Sequence, residues 1–208
     1  MKPWLFDILA CPIDKHYPLK LYIFAFETKP DEFQSILKIY QERDLDLIKN
    51  QEIIEVSKVN NKFFIKDNII IEKNNAETYF ILIIASINEL TNIIDKSPHD
   101  ITQKCFVLIL TEIMDKILEF SKDLNIEKIE MLLPELYFVN KIKIETEIES
   151  GLLFCEKCNR WFPIVETIPQ MLPDEYRDEE KDTQFLKKWK KNLLDDEFLK
   201  QDLKPFNL

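Results

Sequence analysis

The residues best suited to chemistry in this chain are its four cysteines and two histidines, and three of the cysteines fall in two distant segments. The stretch "GLLFCEKCNRWFPI" carries Cys155-x-x-Cys158, and "ILACPIDKHYPLKL" carries Cys11. A Cys-x-x-Cys pair closes a tight knuckle in which both thiolates reach one ion, and a structural zinc site wants four such ligands. Cys11, Cys155 and Cys158 supply three. The fourth is open, because Asp14 repeats the x-x spacing whereas His16, two residues further on, is the better chemical match to a thiolate-rich zinc site. The competing reading is a metal-free remnant whose cysteines are buried or, at most, joined in a disulfide.

Catalytic readings of the same residues are poorly supported. A redox Cys-x-x-Cys needs a low-pKa thiolate at a helix N-terminus, but this pair lies between two segments of strand character. A stand-alone thiol oxidoreductase is therefore disfavoured. His16 and His99 stand in no recognisable nucleophile context, and Cys105 sits inside an apolar helical pattern, where a thiol acts as a small core hydrophobe. Gly151 is the single glycine, so no glycine-rich phosphate loop can be written. No catalytic residue is expected.

The elements that must hold the cysteines follow from the apolar pattern. "PLKLYIFAF" reads as a strand, and Phe33, Ile36, Leu37 and Tyr40 place a helix from Pro30 to about Ile48. "EIIEVSKVNNKFFIKDNIIIEK" reads as two or three short strands with Asn60-Asn61 as a hairpin turn. Two helices follow. One carries Phe80, Ile83, Ile84, Ile87, Leu90 and Ile94 on one face. The other is capped by Asp100 with Gln103, and its face includes Phe106, Ile109, Leu110, Ile113 and Ile117. From Tyr137, "YFVNKIKIETEI" alternates like a strand. Phe185, Leu186, Trp189 and Leu193 make a stripe on a C-terminal helix whose default is to pack on the body. The fold class is thus α+β: a small β domain from residues 1–28 and 148–177, a mainly helical insertion over 29–147, and a C-terminal helical extension over 178–208.

Beyond Cys158 the chain becomes extended, apolar and punctuated by prolines, through Phe162 and Ile164 to Ile168-Pro169-Gln170-Met171-Leu172. Proline cannot donate to a ladder, so such a strand belongs at a sheet edge, and an apolar edge needs a cover. Either the chain covers it itself, or a partner's sheet accepts it by strand addition.

Composition narrows the partner. Net charge is −10, from 28 basic and 38 acidic residues, which argues against a free-standing zinc ribbon that binds nucleic acid. A role beside RNA remains open where a partner carries the basic groove. No 18-residue apolar run suggests a membrane span, and "MKPWLFDILACP" lacks the marks of a signal peptide. Four cysteines in that setting point to a reducing, cytoplasmic location.

Two motifs together, "MKPWLFDILACPIDKHYPLKL" and "ESGLLFCEKCNRWFPIVETIPQMLPDEYR", resemble the small zinc-ribbon-like activator subunit of archaeal and eukaryotic tRNA methyltransferases. The likeness covers roughly residues 1–24 and 148–177. It implies a non-catalytic protein that binds class I S-adenosylmethionine-dependent methyltransferases as heterodimers. Their substrates are tRNA, rRNA or a translation release factor, so RNA and S-adenosylmethionine are met only through the partner. By the same resemblance, contact is by strand addition through Ile168, Pro169, Met171 and Leu172 with Phe162 and Ile164 beside them. A structural zinc would take Cys11, Cys155 and Cys158, with Asp14 or His16 where a second early cysteine would stand.

Overall fold

The computed structural model describes residues 1–60, 62–193 and 203–207, without the side chain of Glu127. Its helices are α1 (Pro3–Phe6), α2 (Pro30–Glu42), α3 (Leu45–Asn50), α4 (Ala76–Glu89), α5 (Asp100–Leu108), α6 (Met114–Asp123), α7 (Leu133–Asn140) and α8 (Glu179–Leu193). Its strands are β1 (Lys20–Phe26), β2 (Glu55–Val59), β3 (Lys62–Lys66), β4 (Asn74–Asn75), β5 (Ile93–Asp95), β6 (Ile148–Cys155), β7 (Arg160–Val165) and β8 (Ile168–Pro169). The main sheet runs β5-β1-β6-β7-β8, parallel only between β1 and β5, and a small second sheet runs β2-β3-β4.

The main sheet is buried on both faces, which is why β1 and β6 read as continuous apolar runs. Leu21, Ile23, Leu153, Cys155, Phe162 and Ile164 face the insertion helices, while Tyr22, Phe24, Leu152, Phe154 and Trp161 face α8. The result is three layers, with helices, a sheet and one helix. β1 passes close to β6 at Gly151, where a Cβ would lie 2.6 Å from the Tyr22 carbonyl oxygen. The chain's one glycine sits where two backbones leave no room for a side chain.

The α+β class, the β unit drawn from both ends of the chain and the helical insertion are present as the sequence implies. The insertion is not separate from that unit, however. β5 comes from within it and pairs with β1, and a single hydrophobic core joins Met1, Phe6 and Cys11 to α2, α4, α7 and β6. The C-terminal stripe packs on the sheet, with Leu186 and Leu193 fully buried and Phe185 and Trp189 partly so. The expected helical extension over 194–202, residue 208, and Asn61 of the expected turn lie outside the described residues.

Several local expectations are corrected. The helix from Pro30 stops at Glu42, because Arg43 turns left-handed (φ 50°) and sends its guanidinium to Glu135. A new helix, α3, then starts under the Asp44 side-chain cap. Ile94 lies on β5, not on the helix before it. His99, without a side-chain bond, is the N-cap of α5, and Gln103 donates instead to the Ser97 carbonyl. "NIIIEK" forms a turn: the Asp67 carboxylate accepts the Ile69 and Ile70 amides, and the short strand comes later, at Asn74.

The largest correction concerns residues 137–145, which are helical rather than extended. Pro134 near the start of α7 suits a first turn, and every residue of α7 is buried. Lys143, placed on the solvent side by the alternating pattern, is wholly buried. Its ammonium donates to both Asp7 carboxylate oxygens (2.8 and 2.6 Å) and to the Ser86 hydroxyl (2.7 Å) and carbonyl (2.6 Å). That cluster pins the segment after α1 to α4 and to the end of the insertion.

Candidate metal centre and docking edge

The two cysteine segments are twin knuckles. After Cys11 the chain turns so that the Lys15 amide donates to the Cys11 carbonyl at 3.0 Å, with Lys15 left-handed (φ 59°). After Cys155 the Asn159 amide donates to the Cys155 carbonyl at 2.9 Å, with Asn159 left-handed (φ 57°). Each knuckle thus presents its first residue and the residue three further on: Cys11 with Asp14, and Cys155 with Cys158. His16 lies past its turn, where its carbonyl accepts from the Cys11 amide (3.0 Å) and its amide donates to Asp14 Oδ1 (3.0 Å).

Four ligand atoms converge between the knuckles. The Sγ atoms of Cys11 and Cys158 are 3.7 Å apart, and Cys155 Sγ lies 3.6 and 3.7 Å from the two Asp14 oxygens. All four side chains offer a ligand atom within 4.8 Å of the others, and His16 is not among them. A tetrahedral ion with bonds of about 2.3 Å to sulfur and about 2.0 Å to oxygen would space its ligands at roughly 3.8 Å for S–S and roughly 3.5 Å for S–O. The donor set therefore fits zinc in both chemistry and spacing.

Burial raises the thiol pKa values, pushing Cys155 up to about 12 and Cys11 above its ordinary value. For Asp14, desolvation works upward but is outweighed by the His16 amide and the neighbouring thiols, which hold the carboxyl below its usual range. Such buried thiols are poor nucleophiles, and a bound cation would supply the charge that deprotonates them. Cys105 lies apart, fully buried, and is likewise pushed up to about 12 by burial.

The second feature is the sheet edge. β7 and β8 are joined by Glu166 and Thr167, both left-handed (φ 48° and 67°), a two-residue turn made without glycine. Val165 pairs with Ile168 and Ile164 with Pro169, and the Gln170 amide donates to the Pro163 carbonyl at 2.8 Å. Strand alternation then directs the backbone groups of Pro169 and Met171 away from β7. Side chains alternate too. Ile168 is 59 % exposed and Leu172 42 %, while Pro169 and Met171 are half-buried, Met171 against the insertion core. Phe162 and Ile164, expected beside them on the outer surface, are wholly buried, because their positions on β7 face the core.

Val165 and Tyr176, not singled out as contact residues from the sequence, add exposed apolar surface at this edge (39 % and 71 %). Arg177 is likewise not singled out there. Its guanidinium carbon lies 4.5 Å from the Trp161 ring centroid, and the group pairs with Asp182 at 2.7 Å and donates to the Trp161 carbonyl. Arg177 thereby locks α8 to β7. The segment from Leu203, whose side chain joins the cluster of Leu186 and Leu193, also bonds to β7. The Trp161 amide donates to the Lys204 carbonyl (3.2 Å), the Lys204 amide to the Asn159 carbonyl (2.9 Å), and the Trp161 indole to the Phe206 carbonyl (3.0 Å).

Among the described residues no helix is long and apolar enough to cross a membrane. No curated protein and no solved structure matches the chain. The family model described as Trm112p-like protein matches residues 2–166, which takes in β1, both cysteine knuckles and the whole helical insertion. By that match the chain belongs to the Trm112p-like family, the activator subunits of methyltransferases.

Proposed function

We propose that this chain is the non-catalytic partner of class I S-adenosylmethionine-dependent methyltransferases that modify tRNA and other components of translation. It binds each of them as a heterodimer in the cytoplasm, and it meets RNA and S-adenosylmethionine only through that partner. The observation that carries the reading is the apolar edge from Ile168 to Leu172, whose outward backbone groups suit strand addition. The activating effect is thermodynamic. A protein that covers apolar surface on the folded catalytic subunit, and not on its unfolded form, stabilises it by mass action.

In this reading Cys11, Asp14, Cys155 and Cys158 hold one structural zinc ion, with Asp14 rather than His16 as the fourth ligand. The ion staples together two knuckles from opposite ends of the sequence. The residues of those knuckles then fix where β7, and with it the β8 edge, emerges.

Co-expression with each class I methyltransferase of the same genome tests the proposal. The wild type raises the soluble yield and methyl-transfer activity of at least one of them, and Ile168→Asp or Leu172→Asp removes the gain. A panel in which no methyltransferase co-purifies or gains activity overturns it.

A further inference from the structure

The outer edge of β7 is closed by the chain itself. Lys204 takes the Trp161 amide and the Asn159 carbonyl, Arg177 takes the Trp161 carbonyl, and Gln170 takes the Pro163 carbonyl. Strand addition is therefore confined to the outside of β8 and the residues just after it. On the α8 side of that short edge lies a cleft of about 730 Å³. One wall is Val165 and Leu172 from the edge, with Tyr176 at the end, and the other is Lys181, Phe185 and Lys188 from α8.

Such a volume takes side chains, not only backbone. Val165, Leu172 and Tyr176 leave much of their apolar surface uncovered on this side. The charges around the cleft are not equivalent. Asp182 is committed to Arg177, and Asp178 caps α8 through the Glu180 and Lys181 amides. Lys188 lies 4.9 Å over the Trp189 ring and, among the described residues, has no carboxylate partner. α8 itself begins at Glu179, beyond the residues matched to the family.

Resting on the function proposed above, we propose that this cleft is a specificity pocket. The methyltransferase's edge strand pairs with β8 and drops one large apolar side chain between β8 and α8, with an acidic residue beside it facing Lys188. The occupant follows from three features: the cleft is continuous with the only stretch of this edge left unpaired by the described residues, its wall on the β-edge side (Val165, Leu172 and Tyr176) is apolar and exposed, and its uncommitted charge, on α8, is positive. α8 thus does two things. Its inner face completes the core of the sheet, and its outer face selects among methyltransferases that share the same strand-addition mode.

The test uses the full chain and the methyltransferase recovered by co-expression, with affinity measured by titration calorimetry. Gln184→Trp fills the cleft from an exposed position on α8. It weakens binding at least tenfold while leaving the thermal midpoint and metal content unchanged. Lys181→Trp, at the rim, serves as a second filler should the first disturb folding. Lys188→Glu weakens binding several-fold and flattens its salt dependence, whereas Lys187→Glu, which does not line the cleft, leaves both unchanged. Fillers that bind within twofold of wild type, while Ile168→Asp still abolishes binding, overturn the pocket and leave strand addition standing. A wild type that binds no methyltransferase instead removes the reading on which the pocket rests.

Discussion

Cys11 Sγ and Cys158 Sγ stand 3.7 Å apart although 147 residues separate them in the chain. With Asp14 and Cys155 they form a donor set whose ligand atoms all lie within 4.8 Å of one another, so the purified protein is expected to carry about one zinc per chain. Metal analysis checks this. Cys155→Ser and Asp14→Ala lose most of the metal, and His16→Ala keeps it. An ion held at 100 times its dissociation constant contributes about 2.7 kcal/mol. Chelation should then lower the thermal midpoint by roughly 5–11 °C for a chain of this size. Stoichiometric zinc in Asp14→Ala together with loss in His16→Ala would reverse the ligand assignment.

Lys143 and Asp7 form an ion pair in which the lysine is wholly buried. Removing the acid alone leaves an uncompensated charge, so Asp7→Ala costs about 3–5 kcal/mol. Lys143→Met, which removes the charge and keeps an apolar stem, costs less. Burial also lowers the Lys143 pKa below its ordinary 10.5, with Asp7 opposing the shift. The unfolded chain therefore holds this proton more tightly than the folded one. The resulting penalty is full below the folded value and is relieved as pH climbs toward 10.5. Denaturant titrations should show wild type gaining on Lys143→Met through the alkaline range, and a gap that narrows there contradicts the assignment.

Arg177 sits between Trp161 and Asp182 with almost none of its side chain exposed. Asp182→Ala strands that guanidinium and is expected to cost about 3–5 kcal/mol. Arg177→Met, which retains contact with the indole, is milder. Because the pair ties α8 to β7, hydrogen exchange should speed up across α8 in Asp182→Ala, well before β1 and β6 respond. Uniform acceleration over the whole sheet would mean that α8 is not an independent layer.

Deleting residues 203–208 bares the Trp161 amide, the Asn159 carbonyl and the Trp161 indole N–H. An exposed strand edge recruits another strand. The truncated protein is expected to self-associate in a concentration-dependent way by light scattering, with its tryptophan emission shifted to the red. If its mass and emission match those of the full chain at every concentration, the segment does not guard the edge.

What the sequence revealed and what it hid divide along a physical line. β1, the first turns of α2, α4 and α8 follow local patterns, and the cysteine knuckles follow spacing, so all were legible. Asp14 was legible from spacing and obscured by chemistry; the repeated turn geometry is what separates it from His16. Residues 137–145 were misread because Lys143 looks solvent-facing until Asp7, 136 residues away, is brought to it. Phe162 and Ile164 belong to an apolar strand whose two faces cannot be told apart without the layers that cover them. Val165, Tyr176 and Arg177 lie in a legible motif, but their exposure and contacts are set by α8 and could not be read from it.

The pairing of β1 with β6 also governs how the protein is made. β1 ends at Phe26 and its antiparallel partner starts at Ile148. At a synthesis rate of about 5–20 residues per second, β1 waits roughly 6–24 s before that partner exists. Through that interval a nascent strand of Leu21, Tyr22, Ile23 and Phe24 has only β5, three residues long, as a strand partner. Yield in a cell should therefore depend on elongation speed and on chaperones that shelter the first thirty or so residues at the ribosome.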